Sequence, residues 1–207
     1  MIVIVDYGVG NLNSVQNMLS RAGAASIISS DAVAIRSASR LILPGVGHFG
    51  FAMEALHERG LTDVLLECAG AGMPLLGICL GAQLLGRGSE EADVPGLGLL
   101  PMETKRFDDS RLRHGEKVPH MGWAATRPVA KNSPLLSGLD EASRFYYVHS
   151  FHFSCDDPGM VLCTAEHGYE FPAGVHRGNV AGVQFHPEKS HTFGRQFLQN
   201  FATMMEH

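Results

Sequence analysis

Apolar positions recur along this chain with two different periods, and the switching between them outlines a fold. Residues 2–5 (Ile2, Val3, Ile4, Val5) are a continuous apolar run, the pattern of a strand covered on both faces. Asp6-Tyr7-Gly8-Val9-Gly10 follows as a glycine turn, and Leu12, Val15, Leu19 and Ala22 then recur at helical spacing. Residues 25–28 and 40–43 read as the next strands, the second running into Pro44-Gly45-Val46-Gly47. Helical spacing over 51–58 and 61–68, a buried strand over 74–78 and a helix over 81–85 complete the first half. Strands alternating with helices predict a parallel sheet with helices on both faces.

The second half reads differently. Between residues 96 and 166, short runs rich in Val, Phe, Tyr and Thr are separated by Asp-Asp, Gly and Pro, which predicts antiparallel hairpins. Residues 180–185 return to a continuous apolar strand, and 193–205 carry a helical period. With no repeat, low-complexity stretch or linker, residues 1–207 are expected to form one α/β domain. Its central sheet should be mostly parallel and flanked by helices, with the hairpin region in the second half.

Composition narrows the function. At 45% apolar and 18% charged residues the chain is ordinary globular material. Sixteen Lys and Arg against 21 Asp and Glu give a net charge of −5, and no run of one sign offers a phosphate backbone a basic patch. No nucleic-acid partner is expected. Residues 68–86 carry no charge, but their glycines, Pro74 and Gln83 suit loop, strand and turn better than a membrane span. The start has no basic n-region, and Cys68, Cys79, Cys155 and Cys163 form no C-x-x-C pair. A cytoplasmic protein with reduced thiols is therefore expected.

The sharpest local signal is Gly77-Ile78-Cys79-Leu80-Gly81, where a buried strand meets a helix. It has the form of a nucleophile elbow with Cys in place of Ser, lifted above the sheet and set at a helix N-terminus that favours a thiolate. A buried structural Cys beside packing glycines is the rival reading. The strand over 180–185 delivers His186 to the carboxyl edge of the sheet, where open α/β sheets bind ligands. Pro187 fixes the backbone there, and Glu188 can orient the imidazole; alone, either residue reads as a solvated His or a helix cap. Together with Cys79 they make a nucleophile, base and orienter set. Gly45 and Gly47 can let backbone N–H groups turn toward an oxyanion, although a plain glycine turn has the same pattern.

These segments, with residues 6–12, Pro119-His120-Met121-Gly122-Trp123 and Tyr147-Val148-His149-Ser150-Phe151, resemble the class I glutamine amidotransferases nearly end to end. The resemblance is nearest to the subgroup of glutaminase subunits that serve a synthase of histidine biosynthesis. It implies Cys79 as nucleophile, His186 as general base and acid, and Glu188 as the orienting carboxylate. It implies an oxyanion hole from the backbone of Leu80 and of a flipping peptide at Val46, and glutamine recognition by Gly47, Gln83, Ser150 and Phe151. Neither a cofactor nor a metal is implied. The products would be glutamate and ammonia, the latter passed to a (β/α)8-barrel cyclase in a heterodimer. Asn11, Lys117, Pro119, His120, Met121 and Trp123 would face that partner or the ammonia path.

One departure stands out. The usual Gly-Trp-Asn is here Gly122-Trp123-Ala124, which removes an amide expected at the interface and predicts a raised basal rate. Related subunits feed ammonia to sugar-modifying enzymes of surface-polysaccharide synthesis, so that acceptor is the alternative, together with a standalone Cys–His hydrolase. Of the weaker patterns, Gly8-Val9-Gly10 lacks the third glycine of a dinucleotide fingerprint. Arg111, Arg113, His114 and Lys117 read as a solvated basic hairpin. His149 and His152, three apart in a predicted strand, would face opposite sides and make a poor metal pair.

Overall fold

The computed structural model describes residues 1–204; Met205, where the last predicted helix ends, lies outside the described residues. Strand β1 (Ile2–Val5) is buried throughout and pairs in parallel with both β2 (Ser26–Ser29) and β3 (Arg40–Gly45). Its alternate residues enter different cores, which is why the run is apolar without a break. Val3 and Val5 join Leu41, Leu43 and Leu75 under α2 (Ala32–Arg36), α3 (Phe49–Glu58) and α4 (Leu61–Gly70). Ile2 and Ile4 join Ile42, Leu76 and Ile78 against α1 (Leu12–Arg21) and α6 (His191–Thr203), through Val15, Leu19, Phe197 and Phe201.

Strand β4 (Leu75–Cys79) lies between β3 and β13 (Val180–Val183), all parallel, and runs straight into the short helix α5 (Leu80–Leu84). Beyond β13 the sheet turns antiparallel through β12 (Tyr169–Arg177), β11 (Val161–His167) and the edge strand β8 (Arg127–Pro128). The order across its eight strands is β2-β1-β3-β4-β13-β12-β11-β8. The predicted hairpins are thus partly absorbed into the main sheet. The rest form two small sheets: β5 (Gly88–Ser89), β6 (Met102–Arg106) and β10 (Phe151–Cys155), and the antiparallel ribbon of β7 (His120–Ala125) with β9 (Arg144–His149).

Besides small shifts at element ends, an added helix and an early strand end depart from the sequence reading. Helix α2 was not expected, because five residues are too few to express a period; it is held by Asp31, which accepts from Val33 N (2.6 Å) and Ala34 N (3.0 Å). The strand predicted over 180–185 leaves the ladder after Val183. Gln184 N still donates to Ala173 O (2.9 Å), but His186 N donates to Tyr146 O (2.9 Å), so the chain changes partner from β12 to β9. That switch places His186 between the main sheet and the β7–β9 ribbon.

Candidate active site

Cys79 ends β4 with φ 54° and ψ −113°, a backbone conformation that L residues rarely adopt and that costs about 1–3 kcal/mol. The glycines two before and two after it are sterically required. A Cβ on Gly77 would lie 2.5 Å from Ala82 Cα, and one on Gly81 would lie 1.8 Å from Leu43 O. The helix doubles back so tightly that only hydrogen atoms fit between it and the sheet. Helix α5 has five residues, so its dipole is small; it supplies the unpaired N–H groups of its first turn. Strain at this one cysteine favours the elbow over a plain buried thiol.

His186 and Glu188 meet as expected. Imidazole Nδ1 lies 2.7 Å from Glu188 Oε1, with both side chains 2% exposed. Ser190 Oγ donates to His186 O (2.6 Å) and accepts from Tyr146 N (3.0 Å), so the backbone on either side of the imidazole is fixed. His186 Nε2 is buried without a hydrogen-bond partner, as is Glu188 Oε2. Burial works against a charged imidazole, but Cys79 and Glu188 outweigh it and raise His186 to about 10.

A cavity of about 300 Å³ opens over Cys79, walled by Val46, Gly47, Leu80, Gln83 and Pro119 and by the chain from Val148 to Phe151. The structure therefore gathers Cys79, Val46, Leu80, Gly47, Gln83, Ser150 and Phe151 around one space, with His186 and Glu188 behind the thiol. Gly47 has φ 105°, in the region that favours glycine, so the loop can present its amides in ways that a side chain would forbid. The Tyr7 hydroxyl, fully buried, donates to Pro44 O (2.8 Å) and anchors the loop from below.

Sequence reasoning missed two residues. Gln184, fully buried, extends Nε2 to 3.7 Å from Cys79 Sγ, while its Oε1 accepts from Gln83 Nε2 (3.1 Å). Its signal was a lone amide in an apolar strand, since a buried polar group needs a partner. Glu91 also lines the cavity, and its Oε2 accepts from Phe49 N (2.7 Å) at the start of α3. In sequence, Glu90-Glu91 reads only as surface charge.

Three expectations need correction. His120 does not lie on the exposed face. Alternate residues of β7 point to opposite sides, and His120 is 7% exposed on the inner side while Met121 (63%) and Trp123 (41%) point outward. Ala124 shares the inner side, opposite Phe145 and against the core, so an amide there would not reach the exposed face. His149 and His152 belong to different strands, β9 and β10, and each points its Nδ1 at a backbone carbonyl.

Asn11, Lys117 and Pro119 are exposed, and Trp123 stacks on His191 with ring centroids 5.2 Å apart. The basic stretch is tethered rather than free: Arg113 pairs with Glu166, and Arg111 lies 3.8 Å over the Tyr169 ring. Among the described residues no cluster of His, Cys, Asp or Glu could hold a metal ion, and no helix is long and apolar enough to cross a membrane.

Residues 3–205 match the family model "Glutamine amidotransferase class-I". The chain is 48% identical to "Imidazole glycerol phosphate synthase subunit HisH 2" of Pseudomonas aeruginosa, over 99% of this chain and 100% of that one. It is 47% identical to the HisH subunit of Sulfurimonas denitrificans, over 98% and 97% of the two chains. Among solved structures, one titled a glutamine amidotransferase superposes with a TM-score of 0.73 at 22% identity, covering 99% of this chain and 100% of that one. The Thermotoga maritima PurLQS structure gives 0.71 at 19%, covering 97% and 96%. At such identities these two structures speak for the fold.

Proposed function

This chain belongs to the class I glutamine amidotransferase family, and from that premise we propose that it is the glutaminase subunit of an imidazole glycerol phosphate synthase. It hydrolyses L-glutamine to L-glutamate and ammonia and hands the ammonia to a (β/α)8-barrel cyclase in a heterodimer. The observation that carries the chemistry is the strained Cys79 beside the unpartnered Nε2 of His186. Near full-length likeness to HisH subunits from several organisms supports the pathway.

In this reading Cys79 Sγ attacks the side-chain amide carbon of glutamine, and the developing oxyanion is met by the N–H groups of Leu80 and Val46. Glu91 receives the substrate's α-ammonium group. His186, held by Glu188, gives the Nε2 proton to the departing ammonia, and a γ-glutamyl thioester remains on Cys79. Water attacks the thioester while His186 takes its proton, releasing glutamate and the free thiol. The exposed Met121 and Trp123, with Asn11, Lys117 and Pro119, form the docking face.

An oxyanion hole completed by a peptide flip at Val46 waits for a partner state that favours the flip. One such donor is worth about 10²–10³ in rate. Glutamine turnover should therefore be near idle for the chain alone and rise by about that factor with the cyclase and its acceptor substrate. Turnover at full rate without any partner would make this a standalone hydrolase, and stimulation only by a sugar-amidating enzyme would move it to surface-polysaccharide synthesis.

The pH profile of the complex follows from His186. Its folded value is raised, so the imidazole keeps its proton from its ordinary value of about 6.5 up to about 10 and loses it above that. Proton donation to ammonia is retained across neutral pH, and kcat/KM should fall on the alkaline side with a midpoint near 10. Glu188→Gln should move this midpoint down. An alkaline limb near 6.5 in the wild type would contradict the paired state.

A further inference from the structure

The inward-facing histidines of the ribbon have no part in the chemistry above, yet they connect two of its regions. His120 and His149 are direct cross-strand partners, so their side chains lie on the same side of the ribbon. His149 Nδ1 is 2.7 Å from Phe151 O, and its Nε2 is 3.2 Å from His120 Nδ1. A carbonyl only accepts, so the hydrogen of His149 sits on Nδ1 and its Nε2 carries a lone pair. His120 must then donate from Nδ1. The chain of donors settles both tautomers, with both rings neutral.

Phe151 O belongs to the wall of the glutamine cavity and also accepts from Gln83 Nε2 (3.3 Å); Gln83 in turn bonds Gln184, which reaches Cys79. At the other end His120 adjoins the exposed Met121. His167 stacks on the His120 ring at 4.4 Å and donates from Nε2 to Lys117 O (3.0 Å). The run from Lys117 to His120 is thus clasped by one histidine and reported to the cavity by two others. Burial, with the neighbouring histidines adding to it, keeps the His120 and His149 rings neutral: His120 is held down at about 4, and His149 well below its ordinary value.

We propose that His120 and His149 are positioning residues that tie the docking run to the glutamine cavity. His149 fixes the Phe151 carbonyl, and His120 holds His149 in the tautomer that does so. The proposal rests on the reading of that cavity as the glutamine site and deepens it: displacement of the 117–121 run on docking is felt as a change in glutamine affinity.

The test is glutamine kinetics on the assembled complex with the cyclase. His120→Phe keeps the stack on His167 and removes the donor, whereas His120→Asn places an amide N–H where Nδ1 stood. His120→Phe should raise KM for glutamine about 5–10-fold with kcat within about 3-fold, and His120→Asn should restore KM to near wild type. Equal KM values for all three forms, or a fall in kcat at unchanged KM, would overturn the proposal. An independent measurement needs no variant. Nitrogen-15 NMR of the histidine rings should find His120 and His149 neutral with the hydrogen on Nδ1, and an Nε2–H tautomer at His149 overturns the proposal on its own. Active wild-type complex with unresponsive variants defeats only this inference, whereas a wild-type complex without glutamine turnover defeats the glutaminase reading as well.

Discussion

Replacing Cys79 by alanine or serine is expected to lower glutamine turnover by about 10⁴–10⁶, the loss that follows removal of a nucleophile from a triad. No other thiol can stand in. Burial pushes Cys163 up to about 12; burial together with Asp156 and Asp157 pushes Cys155 up to about 11; and Cys68 is raised, chiefly by burial. At neutral pH those thiols carry almost no thiolate, so an electrophilic glutamine analogue should label Cys79 alone, as peptide mass spectrometry can read. Equal labelling of Cys155 with loss of activity would remove Cys79 from its role. The same site offers a second readout, because φ 54° with ψ −113° suits glycine. Cys79→Gly should be inactive and yet more stable by about 1 kcal/mol, a rise of about 2–4 °C in melting temperature for a chain of this size. A lower melting temperature would mean that Cys79 stores no strain.

His186→Ala should cost nearly as much as loss of Cys79, because the two act as a unit: the histidine both takes the thiol proton and protonates ammonia. Glu188→Gln should be milder, about 10²–10⁴ in kcat. Its amide can still accept from Nδ1, but the charge that stabilises the imidazolium at 2.7 Å is gone. The double variant His186→Ala/Glu188→Gln should be no worse than His186→Ala, since a carboxylate that acts only through the imidazole has nothing left to orient. Single-turnover rates on the complex would separate these effects. A Glu188→Gln enzyme slower than His186→Ala would give the carboxylate a direct part in the reaction.

Much of this site could be read from residue order because its parts are local. Gly77 is demanded by contacts with Gly81 and Ala82 a few residues away, whereas Gly81 answers to Leu43 on β3; the Pro44–Gly47 turn and the His186-Pro187-Glu188 run are each complete within one segment. Continuous apolar runs at β1, β3 and β4 announced strands covered on both faces, since every residue of such a strand meets a core. The parallel half of the sheet followed from them.

What residue order did not determine is which segments face each other and which way their side chains turn. Gln184 and Glu91 look unremarkable until the fold sets one against Cys79 and the other in the cavity wall. The strand pairing of β7 with β9 turns His120 and Ala124 inward and Met121 and Trp123 outward, although all four lie in one conspicuous run. A strand presents alternate residues to opposite sides, and only its pairing partner and the layer behind decide which side is buried. For the same reason His149 and His152, separated by two residues, end on different strands of different sheets, and the hydrogen bond between His120 and His149 exists only in the folded chain.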